Sequence, residues 1–107
     1  MFGNMLRVHK RRKAWERLQM AQMRFLRAKG EHEVMLAMEL FYRQQLARTD
    51  PDRDWHRYAE LKDRIVECSE DARYESLRKE TARQALDKAH ENHVAACVDA
   101  GTLPSRV

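Results

Sequence analysis

Between residues 58 and 96, apolar and small side chains recur at alternating steps of three and four. With Tyr58 at heptad position a, that position continues through Ile65, Ala72, Lys79, Leu86 and His93. Position d then runs through Leu61, Cys68, Glu75, Ala82, Ala89 and Ala96. A 3–4 repeat predicts a helix that packs one stripe against a partner helix. Glu75 and Lys79 interrupt the stripe, but they stand in the Glu-before-Lys i,i+4 order in which the two charges support each other. Glu60 and Arg64 form the same kind of pair on the outer side. The alanines predict a close approach of the partner.

Upstream, at 100° per residue, one stripe collects Trp15, Leu18, Phe25, Leu36, Leu40 and Ala47. A second, nearly opposite, collects Met20, Met23, Val34, Met38 and Phe41. A helix that is apolar on two faces cannot bury both against a single neighbour. One face is expected to pack on the second helix. The Met20, Met23, Val34, Met38, Phe41 face is expected to bind a second protomer or another protein. The plainer reading is one broad buried face with methionines tolerated at the surface.

Punctuation sets the boundaries. In Thr49-Asp50-Pro51-Asp52, Asp50 can cap a helix, and Pro51 can take its first position, where the missing N–H costs nothing. Asp52 and Asp54 then place negative charge on the positive end of the helix dipole. Gly101 suits a C-terminal cap, with Pro104 beyond it. The expectation is therefore one domain, 1–107, of all-α class. It is an antiparallel, coiled-coil-like hairpin with helix one at about 5–48, a turn at 48–51, helix two at about 51–99 and a tail at 101–107. Gly30, with no capping residue after it, is read as a kink. The competing arrangement keeps the helices nearly collinear, bent at Pro51. Two helices make a weak core at this length, so self-association or docking on a partner is expected to supply further burial.

Composition agrees with long helices. Ala, Glu, Lys, Leu and Arg make up half of the 107 residues, against 3 Gly and 2 Pro. That balance excludes collagen-like, disulfide-scaffold and low-complexity disordered classes. No stretch reaches the roughly 18 apolar residues of a spanning helix, and the two cysteines, Cys68 and Cys97, suit a reducing compartment. A cytoplasmic, soluble protein is the expectation.

Charge changes the picture more. The net +4 conceals a skew, because residues 1–29 hold nine basic residues and one acid, Glu16, whereas residues 49–107 carry a net −3. Arg7, Lys10, Arg11, Arg12, Lys13 and Arg17 are candidates for contacting phosphates of nucleic acid or an anionic lipid surface. No aromatic residue interleaves the run at 7–13, which favours non-specific electrostatics. A solvated basic end that partners an acidic protein is the competing reading.

His90, His93 and Cys97 fall within a narrow wedge of helix two, with Asp87 at its margin and His9 expected nearby on helix one. Imidazole and thiolate ligate zinc, so this is a candidate metal set, although its spacing fits no standard zinc module. Histidine packing in the seam is the alternative. Trp55, His56 and Tyr58 are expected to close the turn end of the hairpin. The chain has no Gly-rich phosphate loop, and a thin hairpin offers no pocket that excludes water, so no enzyme and no required cofactor are expected.

The expected function is a non-catalytic protein–protein interaction module acting as stalk, adaptor or escort. The alternative is a small nucleic-acid-binding hairpin working through residues 7–29. In outline alone, a hairpin that starts basic is similar to the stalk proteins of type III secretion and flagellar export, although this chain is shorter. That resemblance implies a stalk-like role in a secretion apparatus.

Overall fold

The structure is a computed structural model that describes residues 2–101. Two helices, α1 (Phe2–Ala47) and α2 (Trp55–Asp99), form an all-α hairpin, and no strand occurs among the described residues. The tail beyond residue 101, with Pro104, lies outside them.

Each boundary has a local cause. At the end of α1 the Gln45 carbonyl accepts from the Arg48 backbone N–H at 3.2 Å and from the Thr49 hydroxyl at 2.8 Å. Thr49 N–H closes on Leu46 at 3.1 Å, which tightens the last turn. Pro51 then disfavours helical geometry at Asp50. The turn extends to residue 54, and α2 begins at Trp55 rather than at Pro51. Asp50 does cap, but a single turn: its carboxylate accepts from the Asp52 N–H and its carbonyl from the Asp54 N–H, both at 2.9 Å. The Asp54 carbonyl then accepts from the Tyr58 N–H at 2.9 Å to start the long helix. At the far end Gly101 adopts φ of +69°, and Gly101 N–H bonds to Val98 at 3.1 Å, so the expected glycine cap is present. Gly30 causes no break, since α1 is helical through it.

The helices organise two compact units. One combines α1 up to Leu26 with α2 from Glu80, and the other spans Arg27–Lys79. In the second unit the helices lie side by side: Arg78 on α2 reaches Glu31 on α1 at 2.9 Å, and Lys79 Nζ meets His32 Nδ1 at 3.1 Å. Those contacts exclude the collinear arrangement for that unit.

Every heptad a and d position assigned to α2 is buried or half-buried. Leu61, Ile65, Cys68 and Ala72 are buried in the second unit, and His93 in the first. The two charges in the stripe find partners other than each other. Glu75 pairs with Arg78 at 3.2 Å, and Lys79 goes to His32. Likewise Glu60 pairs with Arg57 at 3.8 Å, and Arg64 with Glu67 at 3.4 Å.

On α1 the buried stripe differs from the expected one. It runs through Ala14, Leu18, Ala21 and Phe25 in the first unit, then Ala28, His32, Met35, Glu39, Tyr42 and Leu46 in the second. These positions also alternate by three and four. Leu36, Leu40 and Ala47, placed on the packed face at 100° per residue, are exposed. The reason is geometric. A seam that repeats every 3.5 residues drifts about 20° per heptad relative to a 3.6-residue period, so a fixed-angle stripe that starts on Leu18 has left the seam by Leu36.

Candidate functional site

Two flanks of α1 carry exposed apolar side chains, Val34, Met38 and Phe41 on one and Leu36 and Leu40 on the other. In the second unit Val34, Leu36, Met38, Leu40 and Phe41 are all exposed, Leu40 at 58% and Phe41 at 54%. Within this stretch only Met35 and Glu39 turn into the seam, and Ala37 lies outside with the others. Phe41 leans on Tyr42 edge-on, with centroids 5.6 Å apart. Met20 and Met23 are exposed in the first unit. All five side chains read as a partner-binding face therefore lie at the surface. Val66, Tyr74 and Leu77 of α2 are exposed too and were not singled out from the sequence. The signal was present, because the α2 heptad assigns them to outward positions b, c and f.

The two units differ in how their charges are matched. In the second, Arg27 and Arg78 both hold Glu31, and Glu75 completes the network with Arg78. The hydrogen bond from Arg27, together with the charge of Arg78, draws the Glu31 carboxyl below the ordinary glutamate range, against a smaller opposing effect of burial. Arg43, Arg53, Arg57 and Arg64 also have carboxylate partners. In the first unit, Lys13 pairs with Glu16 at 3.6 Å, and Arg83 with Glu80 and Asp87. Arg7, Lys10, Arg12 and Arg17 are exposed and Arg11 is half-buried, with no carboxylate partner among the described residues. Arg24 and Lys88 are bare in the same sense.

The first unit also carries a groove of about 220 Å³, lined by Ala14, Arg17, Ala85, Lys88, Ala89 and Asn92. It exists because alanines from both helices meet there and leave space that larger side chains would fill. Beside it, Lys13, Arg17 and Arg24 surround Met20, with Glu16 and Ala21. The sequence marked Arg17 and the alanine seam separately; only the pairing of the helices joins them to Lys88.

The histidine–cysteine wedge is divided by the fold. His93 and Cys97 are buried, with Nε2 and Sγ 3.4 Å apart, whereas His90 is exposed. His9 is exposed as well, and the ring that meets His93 is Trp15, with centroids 5.2 Å apart. His93 Nδ1 is buried without a hydrogen-bond partner. Among the described residues, no three His, Cys, Asp or Glu side chains are grouped to hold a metal ion. Cys68 is a buried seam residue. Its thiol is pushed up chiefly by burial, with Asp71, Glu67 and Glu39 adding to the effect.

At the turn, Trp55 and His56 stack with centroids 3.6 Å apart, but Trp55 is 61% exposed. The pair projects into solvent and does not close the hairpin end; half-buried Tyr58 does the packing there. Among the described residues no helix is long and apolar enough to cross a membrane. Compared with protein-family models, curated proteins and solved structures, the chain matches none.

Proposed function

We propose that the protein is a non-catalytic interaction module, a helical hairpin that joins a larger assembly as stalk, adaptor or escort. The supporting observation is the apolar surface at residues 34–41. Val34, Leu36, Met38, Leu40 and Phe41 lie beyond the reach of the hairpin's own seam. Val34, Met38 and Phe41 share one flank at i, i+4 and i+7, and exposed apolar side chains grouped in this way are costly in water and mark contact sites. Methionine adds adaptability, because its unbranched side chain conforms to varied partner surfaces.

The test is a paired substitution, Met38→Ser with Phe41→Ser. Light scattering of the wild-type chain, alone and after purification from its native host, is expected to give a mass above that of one chain. The double variant should return to the single-chain mass with its helical circular dichroism unchanged. Association that persists in the variant overturns the role of this face.

A further inference from the structure

We infer that the alanine-lined groove of the first unit seats a helix from an acidic protein partner, with one bulky apolar side chain in the groove and carboxylates on either side of it. At about 220 Å³ the groove is smaller than the roughly 300–1,000 Å³ of small-molecule sites, and it suits a single side chain. Ala14, Ala85 and Ala89 line it with methyl groups, beside Asn92, so an apolar side chain suits it at that point.

Its rims are cationic from both helices. Arg17 of α1 and Lys88 of α2 flank the groove and have no carboxylate partner among the described residues. Arg24 extends the same charge along the Met20 side. A purely apolar partner would desolvate these cations without return, which is costly. A partner bringing Glu or Asp at the rims would satisfy them while its apolar residue covers the alanines. Spacing favours a helix, whose ridges fit the depression between two helices and whose anchors recur at i, i+3 and i+4. Nucleic acid would satisfy the cations but would leave the alanines and Met20 unused, and no aromatic ring lines the groove for base stacking. The inference shares with the proposed function only the premise of a protein partner and uses a different surface.

The probe is a synthetic amphipathic peptide of about five helical turns, with leucines at i, i+3, i+4 and i+7 and glutamates elsewhere. A twin carrying lysine for every glutamate is the control. Fluorescence anisotropy with the full chain should show binding of the glutamate peptide and none of the twin. Ala85→Gln, at an exposed position, fills the groove without changing charge and should weaken binding about tenfold or more, a loss of about 1.4 kcal/mol. Arg17→Gln with Lys88→Gln should do the same, which keeps the test decisive if one variant fails to fold. Met38→Ser with Phe41→Ser should leave peptide binding unchanged. Binding that survives Ala85→Gln in a folded variant overturns the inference in favour of charge attraction alone. Failure to bind the peptide overturns it too, as does duplex DNA displacing the peptide with affinity indifferent to Ala85→Gln. None of these failures touches the Met38 and Phe41 test.

Discussion

Gly30 sits inside α1 with no steric reason to be glycine. Its φ is not positive, and a Cβ built on it would meet nothing within 4 Å. Glycine within a helix costs about 1 kcal/mol relative to alanine, mostly through the freedom it retains when unfolded. Gly30→Ala should therefore raise stability by about 1 kcal/mol, read as a higher urea midpoint with unchanged slope. A decrease would mean that the residue serves a contact outside the hairpin. His93 is the contrasting case, a polar ring in the seam whose Nδ1 finds no partner. Its heptad position placed it in the seam, but nothing local in the sequence could tell that Trp15, rather than His9, would face it. That pairing follows from where the turn ends, and the turn is longer than Asp50-Pro51 suggests.

On the scale of a helix, the two seams show what periodicity can and cannot reveal. For α2 every position that a 3.5-residue repeat placed inward is buried or half-buried, including Glu75 and Lys79, which a hydrophobicity reading would have rejected. Cys97, at position e, is the buried residue it missed. For α1 a 3.6-residue stripe was correct at Leu18 and Phe25 and failed at Leu36 and Leu40, because two helices that pack along their length impose the shorter repeat on both. Polar seam residues hid it: His32 and Glu39 lie where the stripe should have turned, and each looks like a surface residue in sequence. The difference is measurable. Leu18, fully buried, should lose about 2–5 kcal/mol on substitution by alanine. Leu36→Ala should change stability by no more than about 0.5 kcal/mol. Comparable losses at both positions would restore the 3.6-residue reading. The candidate surfaces were legible to different degrees for the same reason. The methionine face could be read because it lies off any seam, whereas the groove combines residues from two helices and appears only once they are paired.

Over the whole chain, the link between α1 and α2 is the segment 48–54. Each pairing between the helices closes a loop through it, and the loop lengthens steadily away from it. Glu31 and Arg78 are 47 residues apart, and Trp15 and His93 are further still. Loop closure grows less favourable with length, so contacts near the turn are the first that can form. Leu61→Ala should accordingly slow refolding, while Cys97→Ala should mainly speed unfolding, as stopped-flow kinetics would resolve. The opposite assignment would place the nucleus at the other end. The same geometry has a consequence during synthesis. The stretch of α1 around Trp15 leaves the ribosome long before the stretch of α2 around His93 exists. Until that stretch arrives, the basic stretch of α1 has no seam partner in its own chain, and its apolar and cationic side chains are open to any acidic helix in reach.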